Sequence, residues 1–235
     1  MKRRVKINGV ILVCAVLLAV AFPALFLRSD RFTFFDHIVE TFGVVFILFG
    51  QTLRVSARGY KSEYSRNGQA LIQGGPYTLV RNPMYLGIFL IGLGIVAVLF
   101  KLWALCIFLL FFILRYVLLI FQEERKLLFL FPHEYRQYCR KTPRLIPSLA
   151  YLAKTEISEY LPLRPSWLKK EIGSILAVLL TVLFIELWED IRNRGLLAYL
   201  NEAIVIFLVI ILFIFLVGYL NRRTNSQEEN VSIKG

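Results

Sequence analysis

Two stretches of this chain hold the residues that could do chemistry. The first, GGPYTLVRNPMYLG (74–87), sets Tyr77, Arg81, Asn82 and Tyr85 directly before a long apolar run. The second begins with Gln122 and sets Glu123 and Glu124 at the end of another apolar run. Asn82-Pro83 is a strong helix start, with Asn as N-cap and Pro at the first helical position. A guanidinium at that end opposes the helix dipole, yet the two together make a receptor for a carboxylate or phosphate. The glutamates are the mirror case: negative charge near a helix C-terminus is disfavoured unless the helix continues or a cation faces it. Brought together, these cations, carboxylates and tyrosines suit a zwitterionic cofactor with a carboxylate, an ammonium and a further positive centre. Each residue also has a plainer reading. Arg81 can anchor topology, Tyr77 and Tyr85 can sit at headgroup level, and the glutamates can be a solvated helix face.

The elements that must position these residues are membrane helices. With 57% hydrophobic residues and 20 Phe in 235 residues, the composition is far from that of a soluble domain. A hydrocarbon core needs roughly 20 apolar residues in a helix. Six stretches qualify or come close: Gly9 to Leu27, His37 to Leu53, Met84 to Phe100, Leu102 to Phe121, Ile172 to Trp188 and Tyr199 to Leu220. The expected fold is an all-α polytopic bundle of about six spans. The first follows Met1-Lys2-Arg3-Arg4 but is too long for a signal-peptide core and lacks an A-x-A site, so it reads as an uncleaved span. Spans three and four, broken only around Phe100-Lys101-Leu102, form a tight antiparallel hairpin, and both chemical stretches lie at its open end. The organisation is therefore two N-terminal helices (1–60), a core hairpin with its motifs (61–147), an interfacial connector (148–171), two C-terminal helices (172–222) and a polar, disordered tail (223–235).

Lys and Arg concentrate on alternate loops, with ten between Arg125 and Lys170, against Arg28, Arg31, Lys101, Arg192 and Arg194 on the other side. By the positive-inside rule both termini are cytoplasmic, in a plasma or inner membrane. The net charge of +12 then reflects topology and contact with anionic headgroups, not a nucleic-acid surface. Cys14, Cys106 and Cys139 show no C-x-x-C pairing, and His37 and His133 are too few for a histidine-based metal centre. Arg115 lies deep in span four, where an ionisable group is a functional hypothesis by default; snorkelling toward Gln122 is its alternative. Gly92-Leu93-Gly94 lies inside span three with no preceding strand, so it serves helix packing, not nucleotide binding.

Taken together, the two stretches resemble the isoprenylcysteine carboxyl methyltransferase and phospholipid methyltransferase superfamily. Its pattern of G-P-Y, R-H-P-x-Y-x-G, E-E, F-G-x-x-Y-x-x-Y and P-R-x-x-P is similar to Gly75-Pro76-Tyr77, then Arg81, Pro83, Tyr85 and Gly87, then Glu123-Glu124, Phe131, Tyr135, Tyr138, Pro143, Arg144 and Pro147. The likeness covers residues 71–147. It implies an integral-membrane enzyme that binds S-adenosylmethionine at the cytoplasmic side and admits a lipophilic or prenylated acceptor from the bilayer. It also implies catalytic roles for Arg81, Glu123 and Glu124, and a cofactor site of Tyr77, Arg81, Asn82, Tyr85, Glu123, Glu124 and Tyr135. Asn82 stands where the family has histidine and cannot take a proton; Pro132 replaces a glycine.

Carboxylate or thiolate methylation needs no protein base, whereas an amine acceptor would require one, with Glu123 or Glu124 nearest. A prenylated cysteine carboxylate, a phospholipid amine and a small thiol all remain open as acceptors. Two other readings stand beside this one: an NADPH-dependent membrane reductase of similar hairpin architecture, and a non-catalytic protein that binds lipid or a partner. Oligomeric state is not legible.

Overall fold

The computed structural model describes residues 22–28, 34–65, 68–147 and 157–193, with 204, 207–208, 210–219 and 222 beyond them. The described residues build an all-α protein without a strand. Its main helices are α1 (Phe34–Tyr64), α2 (Pro83–Leu99), α3 (Trp103–Leu130), α4 (Pro132–Lys141), α5 (Pro165–Asn193) and α6 (Ile210–Tyr219). Of these, α1 and α3 are long and apolar enough to cross a membrane, and α2 is a shorter apolar helix between them. The expected first span lies mostly outside the described residues, which show only a turn at Pro23–Phe26 and an extended Leu27. Helix α1 exceeds the expected His37–Leu53. Its 31 residues extend about 46 Å, more than a hydrocarbon core, so one end projects past it.

Helices α2 and α3 form the expected antiparallel hairpin, closed by Phe100, Lys101 and Leu102. The closed end is pinned by the segment before α1. Arg28 N–H donates to the Leu99 carbonyl at 3.1 Å, Lys101 N–H to Phe26 at 3.1 Å, and the Lys101 ammonium to Ala24 at 2.7 Å. Polar backbone at a helix-to-helix turn needs such partners when water is scarce.

Helix α1 packs against α2 almost backbone to backbone, and glycine permits it. Gly43 faces Gly94, and Gly50 faces Gly87 one heptad further along. A Cβ on Gly50 would lie 2.7 Å from the Gly87 carbonyl oxygen, and one on Gly87 would lie 2.8 Å from that of Gly50. Small residues at matched positions are how helices approach closely where lipid removes the hydrophobic drive to associate. Gly94 thus does the packing work expected of it. The α1–α2 contact sets the height of Arg81 and Asn82 relative to everything α1 carries.

On the other side of α1, Arg54 donates to Ser174 Oγ at 2.8 Å and pairs with Glu171 at 3.2 Å, while Arg58 pairs with Glu171 at 2.6 Å. Glu63 accepts from Trp167 Nε1 at 3.0 Å and pairs with Arg164. These contacts seat the first turns of α5 on α1. Residues read as an interfacial connector do not simply cross the surface: Tyr160, Leu161, Leu163 and Trp167 are buried in a cluster with Leu53 and Val80.

Gly50→Leu is expected to lower the thermal midpoint of the detergent-purified protein, by overpacking that costs about 1–3 kcal/mol. Gly173→Ala, where an added Cβ meets nothing within 4 Å, is the control and should not lower it. Equal midpoints for Gly50→Leu and the parent chain would refute the close α1–α2 contact.

Candidate functional site

The turn before α2 begins at Gly75, whose φ of +57° only glycine adopts without strain. A Cβ there would also lie 2.7 Å from the Tyr60 ring of α1. The short helix Pro76–Leu79 follows, then Arg81, whose backbone N–H donates to the Pro143 carbonyl at 2.8 Å. This bond joins the two motif-bearing segments by main chain. A second tie runs from the Tyr138 hydroxyl of α4 to the Tyr77 carbonyl at 2.6 Å. Tyr77 itself is buried, and its hydroxyl donates to the Ala57 carbonyl of α1 at 3.4 Å. Burial, then Glu123, raises the Tyr77 pKa, and burial likewise raises that of Tyr138, so both stay protonated donors. Tyr77 is thus packed between α1 and α4, and it does not line the pocket described below.

At the centre is Glu124. It is buried near the end of α3, which continues to Leu130 and so keeps Glu123 and Glu124 out of the last turn. Asn82 Nδ2 donates to Glu124 Oε1 at 3.0 Å and to the Arg144 carbonyl at 3.3 Å. Arg144 grips both oxygens, with Nε at 3.2 and 3.1 Å and Nη2 at 3.0 Å. Arg81 Nη1 adds an ion pair at 3.6 Å. A carboxylate offers about four acceptor sites, and here they are taken. Asn82 holds the N-cap position of α2, but its side chain makes no cap hydrogen bond. The side-chain cap expected of it is not formed: the amide is oriented instead so that its Nδ2 donates to the buried carboxylate.

Glu123, one residue earlier, faces another way. Its Oε1 accepts from the Tyr85 hydroxyl at 2.9 Å. Tyr85 stands at the head of an aromatic ladder: Tyr116 lies 5.6 Å from it, Phe112 4.6 Å from Tyr116, and Phe89 4.9 Å from Phe112. The ladder fills the seam between α2 and α3. Arg115 lies on a π-helical turn, Ile113–Val117, beside it; such turns often mark functional positions.

Next to Glu124 opens a pocket of about 390 Å³. Its cationic wall is Arg81, Arg125, Arg136, Arg140 and Arg144, and Phe121, Tyr135 and Cys139 also face it. The Arg144 guanidinium lies 4.6 Å over the Phe121 ring, and Arg81 Nη1 donates to Cys139 Sγ at 2.7 Å. Two buried donors, Arg81 Nε and the Tyr135 hydroxyl, have no hydrogen-bond partner among the described residues. Burial, then Glu124, raises the Tyr135 pKa, so the group remains an O–H donor. For Arg81, burial opposes the charge, but Glu124 and Cys139 outweigh it and raise the pKa.

Of the residues singled out from the sequence, Arg81, Asn82, Glu124 and Tyr135 converge here. Glu123 and Tyr85 pair on the adjoining side, and neither lines this pocket. From the sequence, Arg125, Arg136 and Arg140 read only as positive-inside charge, and Arg144 only as part of the resembled P-R-x-x-P pattern, with no role of its own. The signal that would have found two of them is the i, i+4 spacing of Arg136 and Arg140, which sets both on one face of a helix. Arg144 lies in a turn, Ser-less and irregular, where helical spacing says nothing.

No curated protein and no solved structure matches the chain. Residues 38–133 match the family model described as phospholipid methyltransferase, a stretch that contains most of α1, all of α2 and α3, and the Arg81–Asn82–Glu124 centre. Over that stretch the chain is similar to the phospholipid methyltransferase family, and its described residues include two helices long and apolar enough to cross a membrane.

Proposed function

We propose that this chain is an integral-membrane methyltransferase that uses S-adenosylmethionine and methylates a lipophilic acceptor, in the manner of an isoprenylcysteine carboxyl O-methyltransferase. The observation that carries the reading is a buried glutamate saturated by Asn82, Arg81 and Arg144 at the edge of an arginine-walled pocket. The pocket's size suits a small molecule. Its two orphaned donors, Arg81 Nε and the Tyr135 hydroxyl, fit a carboxylate such as the cofactor carries. An unmet buried hydroxyl costs about 1–3 kcal/mol, which a bound acceptor would recover.

S-adenosylmethionine supplies an electrophilic methyl group on a sulfonium. Arg81 and Tyr135 hold its carboxylate in this reading, and Glu123, paired with Tyr85 outside this pocket, is left to a more distant part such as the ribose. Glu124 acts at one remove, fixing Arg81 and Asn82. Orientation and exclusion of water then supply much of the acceleration.

The same geometry bears on the acceptor. The Glu124 oxygens already accept from Asn82 and Arg144, so neither is open toward an acceptor, and Asn82 has no proton to exchange. An acceptor that arrives as an anion, a carboxylate first and a thiolate second, needs no proton removed. An amine does. The aromatic seam of Tyr85, Tyr116, Phe112 and Phe89 adjoins the largely exposed apolar helix α3, and in this reading a prenyl-like chain lies against that exposed face. In this reading the open end and both termini face the cytoplasm, which the alternation of Lys and Arg between loops supports.

Titration calorimetry of the purified protein should show saturable binding of S-adenosylhomocysteine and none of NADPH. Arg81→Ala should weaken that binding at least tenfold, about the worth of a hydrogen bond to a charged group. NADPH binding alone, or unaltered affinity in Arg81→Ala, would overturn the assignment. Glu124→Ala should also lower the thermal midpoint, by about 1–3 kcal/mol, through the unpaired polar groups it leaves. Tyr85→Phe should leave the midpoint nearly unchanged; equal effects of the two would show that Glu124 does not organise the site.

A further inference from the structure

The arginine-walled pocket contains a nucleophile that methyl transfer does not use. Cys139 is a free, half-buried thiol on α4, and its sulfur accepts from Arg81 Nη1 at 2.7 Å. Arg136 and Arg140, both exposed, flank it on the same helix, and Arg125 and Arg144 complete the cationic wall. Reactive cysteines occupy electropositive, partly exposed surroundings of this kind. A second observation points to a ligand at the same place: Tyr135 is only 3% exposed, lines this pocket, and has no hydrogen-bond partner for its hydroxyl among the described residues. Cys106, by contrast, is exposed on the apolar helix α3 and lines no described pocket.

We propose that Cys139 is a modification site, at which an anionic disulfide drawn in by the arginines forms a mixed disulfide with the protein. Cys139 Sγ attacks one sulfur of the incoming disulfide; the new S–S bond forms as the old one breaks. The departing half leaves as an anionic thiolate with the electron pair of the broken bond, and the proton of Cys139 passes to solvent. Cys139 is oxidised and the departing sulfur reduced, so the disulfide is the only oxidant required. The Tyr135 O–H and the arginines hold the anionic part of the adduct. The adduct fills the volume assigned above to the carboxylate end of S-adenosylmethionine, so modification and cofactor binding exclude one another; this consequence rests on the proposed function.

The test compares dithiobis(nitrobenzoate), a dianionic aromatic disulfide, with the neutral dithiodipyridine on the purified full-length protein, each rate divided by that of free cysteine. The expected result is a roughly tenfold advantage for the anionic reagent, of the size that a focused electrostatic field produces. The advantage should shrink at high salt and in Arg136→Gln or Arg140→Gln, and the reacting phase should vanish in Cys139→Ser. Peptide mass mapping should locate the adduct at Cys139. Equal relative rates for the two reagents, or an adduct confined to Cys106, would overturn the proposal. Protection by S-adenosylhomocysteine would support the mutual exclusion. Anion-selective reaction at Cys139 without protection would keep the modification site and remove the cofactor from this pocket.

Discussion

The structure around the site depends on one buried carboxylate and the donors that compensate it. Removing an ionised carboxylate from water costs several kcal/mol unless hydrogen bonds and opposite charge replace the lost hydration. Glu124 obtains them from two separate places in the chain: the adjacent Arg81 and Asn82 at the start of α2, and Arg144 beyond α4. The ion cluster is thus a tertiary clasp that holds the open ends of the α2–α3 hairpin together and folds the segment after α3 back over them. The Arg81 N–H to Pro143 carbonyl bond and the Tyr138 to Tyr77 bond act in the same direction through main-chain atoms.

A clasp of this kind requires a rigid frame, and the frame comes from the opposite physical limit. Gly43, Gly50, Gly87 and Gly94 remove side chains from the α1–α2 contact, so backbone dispersion and close packing hold it. Arg54 emerges beside Gly87 and turns outward to Glu171 and Ser174 of α5. The pair α1–α2 thereby carries one ion cluster on each side: Glu124 toward α3 and α4, Glu171 toward α5. Because the two helices cannot slide without a backbone clash, the two clusters keep a fixed separation. Glu171 and Ser174 lie outside the matched residues 38–133, while Arg54 and Arg58 lie within them, so part of what braces this stretch is supplied by sequence beyond it.

Much of this was legible from residue types. The all-helical fold, the α2–α3 hairpin and the helix start at Pro83 follow from apolar run lengths and from proline's fixed φ, which are local properties. The two stretches that hold the site were also visible, because charges placed against a helix dipole are conspicuous. What could not be read were pairings across long separations. Glu123 and Glu124 look equivalent in sequence, yet the 100° between neighbours on a helix sends one to Tyr85 and the other to Asn82 and Arg144. Asn82 reads as a cap because capping is local; that it would instead serve a carboxylate 42 residues away is a tertiary fact. The burial of Tyr77 is hidden for a similar reason, since a tyrosine ahead of a membrane helix suits a headgroup layer as well as a packed interior.

The replacement of the family's histidine by Asn82 gains its meaning from this geometry. A histidine at that position could titrate near neutrality and change the charge beside Glu124, whereas an asparagine donates its N–H at every pH. Asn82 thus adds no titrating group beside Glu124. An enzyme that must remove a proton from its acceptor would lose by that exchange. One that receives an acceptor already ionised would not, and would keep a constant positive field to attract it. The departure from the family pattern is thus compatible with methyl transfer, provided that the nucleophile reaches the site as an anion.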